Sequence, residues 1–382
     1  MDQQSYRTQL EFSLGTPFVD GNQIRLLHNG DEIFPQMLGA IESASEHVDF
    51  ATFVYWQGDV AERFARVLAG QAKAGVRVRV LLDAVGSRPM QSAWVDQMRA
   101  AGVEVRFFRP LSTWRFWRMD KRTHRKLLVC DSNVGFTGGV GIGEEWEGNA
   151  ANPDEWRETH CQVNGPAVRS LQAAFSDNWN EAGQWQWMGD RRGAKALPSG
   201  IPVQIIRAST TIGWTQTATL LRSLVSIARH SLKITTPYFV PDNVLMQLLA
   251  KAVERGVDVQ VLTAGKHHDS KISQLASHPC IEQVLSSGVR VLRYQKTMLH
   301  AKTLVVDGVV SCIGSANWNR RSLGKDEECC AVALCADVAA TLESRFEQDC
   351  QEAESLDHQT WKKRPVWTRM KETAAGWVSE QT

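Results

Sequence analysis

Short apolar runs of period two alternate along the chain with amphipathic runs of period 3.6, and the same order is run through twice. In the first pass, residues 24–27, 48–55, 76–82 and 103–108 read as strands, and 31–44, 60–73 and 94–101 as helices. The helix over 31–44 is marked by Ile33, Met37, Leu38 and Ile41 on one face. In the second pass, 203–207, 232–238, 257–264 and 289–294 read as strands, and 219–230, 244–254 and 279–287 as helices. Local phrases match as well: Ala74-Gly75-Val76-Arg77-Val78 answers to Arg255-Gly256-Val257-Asp258-Val259, and Ala101-Gly102-Val103-Glu104-Val105 to Ser287-Gly288-Val289-Arg290-Val291. The expectation is an α/β protein of two similar lobes, mixed sheets flanked by helices, related by a pseudo-twofold duplication. An irregular N-terminal arm is expected at 1–22, a first lobe at 23–188, a linker at 189–202, a second lobe at 203–355 and a basic, tryptophan-bearing tail at 356–382. The linker is marked by Gly189, Gly193, Pro198, Gly200 and Pro202.

Composition narrows the class. With 382 residues, 43% of them hydrophobic, the chain can bury two moderate cores. Its net charge of +1 supplies no overall field toward nucleic acid or membrane, so a basic surface must be local. Eight cysteines without paired spacing read as free thiols in a reducing compartment, and His160-Cys161 has no further ligands at zinc spacing. The N-terminus lacks an apolar leader core and no window reaches the roughly 18 uncharged residues of a membrane span. A chain that is soluble or peripheral is therefore expected. Two stretches break the pattern: Trp114-Arg115-Phe116-Trp117-Arg118 with Lys121 and Arg122, and Trp361-Lys362-Lys363-Arg364-Pro365-Val366-Trp367 with Arg369, Lys371 and Trp377. Cations interleaved with indoles suit an anionic lipid headgroup interface, although a solvated loop and a tail packed on its own lobe would read the same way.

Each pass ends on a further strand that carries the chemistry. His124-Arg125-Lys126-Leu127-Leu128-Val129-Cys130-Asp131 recurs as His300-Ala301-Lys302-Thr303-Leu304-Val305-Val306-Asp307, and each copy is followed by a small pair, Gly138-Gly139 or Gly314-Ser315. Side chains two apart on a strand share a face, so His124 and Lys126 point one way, as do His300 and Lys302. Asp131 and Asp307 fall on the other parity, inside turn signals, and read as structural members of their motifs.

Paired H-x-K-x4-D motifs with an intact Gly-Ser-Ala-Asn at 314–317 resemble the phospholipase D superfamily over about residues 24–350. Within it, the chain is most similar to bacterial cardiolipin synthases lacking transmembrane helices. The phrases that carry this are Phe136-Thr137-Gly138-Gly139, Gly143-Glu144-Glu145-Trp146, Thr236-Pro237-Tyr238-Phe239-Val240-Pro241-Asp242 and Met298-Leu299-His300-Ala301-Lys302-Thr303.

The resemblance implies a covalent phosphohistidine, with His124 attacking phosphorus and His300 as the acid and base. It implies that Lys126, Lys302, Asn317 and Ser315 hold the nonbridging oxygens, so that no metal or cofactor is needed. A glutamate downstream of each motif would orient a histidine: Glu158 and Glu328, with Glu155 and Glu327 as rivals. Gly138, Gly139, Trp114 and Trp117 complete the expected substrate contacts. Many relatives carry Asn where this chain has Gly141, which removes a donor from that side of the phosphate unless backbone N–H groups replace it. The implied reaction moves a phosphatidyl group onto an alcohol of a second phospholipid. An example joins two phosphatidylglycerols with release of glycerol, and phosphatidylethanolamine is a second candidate substrate. An anionic membrane surface is the implied partner, on the inner face of the cell membrane, with no nucleic acid. A phospholipase D hydrolase shares all these residues. A nuclease would need a basic groove, and a silent membrane-binding protein would not need both His/Lys pairs. His28, His47 and His230 read as ordinary residues, His267-His268 as a loop pair or cleft lining, and the glycine-rich run 138–143 lacks a dinucleotide-site context.

Overall fold

The computed structural model describes residues 2–110, 120–187, 193–209 and 215–364. The first half of the chain runs α1 (Gln3–Leu14), β1 (Val19–His28), α2 (Asn29–Glu42), β2 (His47–Thr52), α3 (Asp59–Lys73), β3 (Arg77–Asp83), α4 (Ser92–Ala100), β4 (Glu104–Phe108), β5 (Leu127–Cys130), β6 (Val134–Gly138), β7 (Thr159–Asn164) and α5 (Val168–Glu181). The second half begins with β8 (Ile201–Arg207), α6 (Gln216–Ile227), β9 (Ser231–Thr236), β10 (Phe239–Val240), α7 (Asn243–Glu254), β11 (Asp258–Ala264), α8 (Lys271–Ser286) and β12 (Arg290–Tyr294). It continues with β13 (Thr303–Val306), β14 (Val310–Gly314), β15 (Trp318–Asn319), α9 (Arg320–Gly324), β16 (Cys329–Leu334), α10 (Ala336–Gln351), β17 (Ala353–Ser355) and α11 (His358–Lys362).

The two lobes are halves of one 15-stranded sheet, ordered β17-β12-β11-β9-β13-β14-β16-β8-β1-β7-β6-β5-β2-β3-β4. Outward from the β8–β1 seam the order repeats strand for strand, and β17 is an addition on the second lobe's edge. The seam is antiparallel, with Val19 opposite Val203 and Asn22 opposite Ile201, which is what a twofold axis through the join requires. Parallel β2–β3–β4 and β9–β11–β12 need crossover helices, whereas antiparallel β5–β6 and β13–β14 are joined by tight turns and β6–β7 and β14–β16 by longer connections. Each lobe has an outer apolar core, built around Phe50, Phe64 and Leu82 in one and Leu224, Leu249 and Val261 in the other. A third core under α5 and α10 draws on both halves, from Val163, Phe175 and Trp179 to Val305, Ile313 and Ala331.

Three expectations are corrected. The arm at 1–22 is not irregular: α1 is capped by the Asp2 carboxylate, which accepts from the Ser5 N–H, and β1 begins at Val19. Tyr6 and Leu10, one turn apart, bury α1 in the core of the second lobe, on the far side of the seam from β1. The helix expected from Pro279 starts at Lys271 and carries Pro279 in its interior. The His/Lys residues were expected within strands, yet β5 and β13 begin just after them, leaving His124 and His300 on extended lead-in segments. The tail is answered in part: Trp361 is buried, its Nε1–H reaches the His278 carbonyl and Arg364 stacks on its ring, so α11 packs on α8. Residues 365–382 lie outside the described residues. All eight cysteines are free, and no helix among the described residues is long and apolar enough to cross a membrane.

Candidate active site

The lead-in segments are held across the seam. The His124 backbone N–H donates to the Glu327 carbonyl (2.9 Å) and that of Glu327 to the Arg122 carbonyl (2.9 Å). In the other half the His300 N–H donates to Arg157 (2.8 Å) and the Arg157 N–H to Met298 (2.8 Å). Each histidine thus lies beside the residues leading into a strand of the opposite lobe, Glu327 before β16 or Arg157 before β7, and the next residue, the last before the strand, is a glutamate. Glu328 therefore meets His124, and Glu158 meets His300.

The carboxylate of Glu328 lies 3.0 and 3.1 Å from His124 Nδ1. It also accepts from the hydroxyls of Ser315 and Ser322, the latter at 2.6 Å. Glu158 Oε2 lies 2.6 Å from His300 Nδ1, and its other oxygen accepts the Thr159 N–H at 2.8 Å. With Nδ1 engaged in both rings, Nε2 is the nitrogen left for chemistry. Lys126 Nζ donates to its own His124 carbonyl at 3.0 Å, and Lys302 Nζ lies 3.0 and 3.1 Å from the two His300 ring nitrogens. Both lysines are buried.

The charges are tuned by burial and by one another. Burial, aided by Lys302, pushes Lys126 down to about 7, and burial brings Lys302 to about 8 against the pull of Glu158 and Glu328. Burial and then Lys302 hold the His300 imidazole well below the ordinary histidine value, with Lys126 and His124 adding to the effect. Burial also raises Glu158 against Lys302 and the Thr159 N–H. Burial would raise Glu328 likewise, but the charge and hydrogen bond of His124, with Lys126 and Ser315, outweigh it and hold that carboxyl below its usual range. Each of the two lysines and His300 responds to groups from both lobes, so the four motif side chains share one electrostatic site.

Of the other expected residues, Asn317 is 5% exposed and its Oδ1 has no partner among the described residues. Gly139 faces Glu158: a Cβ there would lie 2.5 Å from Oε2, in the space that Ser315 fills beside Glu328. Gly138 packs on the His160 ring. Asp131 and Asp307 are not brought to this site, although their motifs are. Asp131 accepts the N–H groups of Ser45, Glu46 and His47; Asp307 accepts those of Arg229, His230 and Ser231 and the Tyr6 hydroxyl at 2.6 Å. Both are tie points for the turns entering β2 and β9. Glu327 is bound to Arg109 and Asn178, and Glu155 to the N–H groups of Asn149 and Ala151, so neither is bonded to His124 or His300. Trp114 and Trp117 lie outside the described residues.

Sequence reasoning did not single out the aromatic wall. The Phe53 ring meets His124 at 5.3 Å, and Trp146 and Trp156 meet His300 at 5.3 and 5.2 Å. Trp146 fills the place of the absent Asn: a Cβ on Gly141 would lie 2.8 Å from its Cη2. Nor did it single out Asp269, which accepts from the Tyr238 hydroxyl and pairs with His268 at 3.3 Å. Burial would raise its carboxyl, but bonds from His268 and Tyr238 and the charge of His300 hold it low. The signal available was the loop pair His267-His268 at the end of β11. No group of His, Cys, Asp and Glu able to hold a metal ion is present among the described residues.

The comparisons agree with this architecture. The family profile described as "Cardiolipin synthase, PLD-like domain" matches residues 37–178 and 221–350. The chain is 32% identical to a cardiolipin synthase of Geobacillus kaustophilus, covering 97% of this chain and 75% of that one. It is 29% identical to the major cardiolipin synthase of Bacillus subtilis, covering 95% and 76%. Among solved structures, phosphatidylserine synthase of Haemophilus influenzae superposes with a TM-score of 0.73 at 14% identity, covering 99% of this chain and all (100%) of that one. That likeness speaks for the fold alone.

Proposed function

The chain belongs to the cardiolipin synthase family with phospholipase D-like domains, and from that membership we propose how its two half-sites divide the work of a cardiolipin-forming phosphatidyltransferase. His124 Nε2 attacks the phosphorus of phosphatidylglycerol, a P–N bond forms, and the P–O bond to glycerol breaks as the glycerol oxygen takes a proton from the His300 side. The hydroxyl of a second phosphatidylglycerol then gives its proton to His300 and attacks phosphorus, and the P–N bond breaks to release cardiolipin. Lys126, Lys302 and the Asn317 amide hold the nonbridging oxygens through both steps.

The observation that carries this division is the unequal support of the two glutamates. Glu328 is held below its usual range by the charge and hydrogen bond of His124, with Lys126 and Ser315, and it also accepts from Ser322, the environment a histidine requires if it is to become a cationic phosphohistidine. Burial raises Glu158, which has the Thr159 N–H rather than a serine in support, and lowers His300 2.6 Å away, so their proton affinities approach each other, and in this reading the pair shares a proton. An arriving phosphodiester anion cancels the lysine charges that depress His300 and draws the proton onto the ring, where the leaving glycerol takes it. The mouth of the cleft meets an anionic bilayer, whose inner leaflet carries the substrate.

Purified protein given phosphatidylglycerol vesicles is expected to form cardiolipin, read by mass spectrometry, and the His124→Ala protein to form none. A parent protein that makes neither cardiolipin nor phosphatidic acid would overturn the reading. With phosphatidyl-p-nitrophenol labelled in its phosphate, whose leaving group needs no proton, the His300→Asn protein should retain acid-labile label on the chain; label retained by His124→Ala instead would reverse the two roles.

A further inference from the structure

A partly open cavity of about 170 Å³, far above the ~10–15 Å³ that one water requires, lies among the segments 238–240, 270–273 and 319–321. Its walls carry Arg320, Arg321, Asn319, Ser270 and Ser273. Among the described residues no Asp or Glu lines it. The Asn319 Oδ1 is occupied by capping the Ser322 N–H, which turns the amide's donor nitrogen toward other partners. Ser270 and Ser273 hydroxyls are 3.0 Å apart, so one of their two protons is left to donate. Arg321 is tied to Asp326 at 2.8 Å and to Asp120 at 3.5 Å, so it is the Arg320 guanidinium, the Asn319 amide and the serine hydroxyls that give the space the chemistry of a phosphate site.

Its position says which phosphate. None of His124, Lys126, His300 and Lys302 lines the cavity, so it is not where the reacting phosphorus sits. It adjoins that place along two routes. Asn319 is two residues beyond Asn317, on the strand β15 that pairs with β10. Tyr238, which also lines the cavity, donates to Asp269, and Asp269 feels the charge of His300. Through Tyr238 and Asp269 the cavity is thus linked to the histidine assigned to deprotonate the incoming alcohol. That alcohol is the end of a glycerol whose other end carries a phosphodiester. When it attacks, a second phosphate must stand one glycerol away from the first.

Resting on the transferase reading above, we propose that this cavity is the acceptor subsite: it binds the phosphodiester of the second phospholipid through Arg320, Asn319 and the Ser270/Ser273 pair. Asp269, at the boundary, receives the free central hydroxyl of the glycerol. The subsite has no part in forming the phosphohistidine. It raises the share of the intermediate taken by a phosphorylated alcohol over water or free glycerol.

Two reactions of the same protein separate these steps. Cardiolipin formation from phosphatidylglycerol vesicles needs both phosphates, whereas exchange of labelled free glycerol into phosphatidylglycerol needs only the first. Arg320→Ala and Arg320→Glu are expected to lower cardiolipin formation about tenfold or more, the scale of one lost charged hydrogen bond, with glycerol exchange unchanged. Arg320→Lys should recover most of the synthesis, and Ser273→Asp should reproduce the loss. Retained exchange also shows that the variants fold; a Ser273→Asp protein that fails to fold leaves the decision to the Arg320 series. The proposal is overturned if synthesis and exchange fall together, or if neither changes. A parent that exchanges glycerol but makes no cardiolipin would overturn the transferase reading instead.

Discussion

In one half of the reactive centre a glutamate is wrapped by two serine hydroxyls and stays ionised against His124; in the other, glycine replaces serine and the glutamate meets His300 with one backbone N–H in support. The backbones are the same by duplication, down to the bridges that cross the seam. The difference is made of a few small side chains: Ser315 against Gly139, Asn317 against Gly141. Removing a hydroxyl beside a buried carboxylate shifts it toward its neutral form, because desolvation is then less opposed. Two copies of one fold can in this way be set to opposite proton-transfer duties without moving the main chain.

The largest effects expected are at the histidines. His124→Ala and His300→Ala should each lower cardiolipin formation by about 10³-fold or more, the loss seen when a nucleophile or its acid partner is removed. If one of them retained a tenth of the activity, the halves would not be interdependent. Next come the glutamates. Glu328→Gln removes an ionised partner and should lower kcat roughly 100-fold, whereas Glu158→Gln removes a carboxyl already raised and should cost nearer tenfold. Equal losses would erase the distinction between the halves.

The pH dependence sharpens it further. Lys126 and Lys302 lie at about 7 and about 8, pushed down chiefly by burial. Lowered values mean that the cationic forms are lost as pH rises through that window, so kcat/KM for the lipid should fall on the alkaline side. Lys126→Arg, which stays charged, should move that limb upward; an unmoved limb would assign it to another group. Smaller effects are expected for stability. Gly141→Asn drives its side chain into Trp146 and should destabilise by about 1–3 kcal/mol, read as a fall in Tm that Trp146→Ala partly relieves. Tyr6→Phe, which leaves Asp307 one bond poorer while Asp131 is untouched, should cost about 1 kcal/mol and leave kcat unchanged.

Much of this was legible beforehand, for reasons that particular residues show. The repeated strand and helix order was visible because every crossover helix carries its own apolar face. Parity placed Asp131 and Asp307 away from the chemistry, and they hold turns. Helix α1 was not visible, since only Tyr6 and Leu10 are fully buried along it and they pack against the lobe most distant in sequence. The helix read over 279–287 begins at Lys271 and keeps Pro279 in its interior, a place proline ordinarily disfavours. The crossing of the glutamates could not be read from spacing, which fixes neighbours along a strand but not which lobe supplies the adjacent strand. For the same reason Trp146 went unnoticed as the occupant of the space above Gly141.

The exchange of carboxylates across the seam makes neither half self-sufficient. If the chain were severed between α5 and β8, each fragment would keep its imidazole and lose the group that orients it. Activity should then return only on mixing, to the extent that β1 and β8 find each other, so that turnover would report assembly directly.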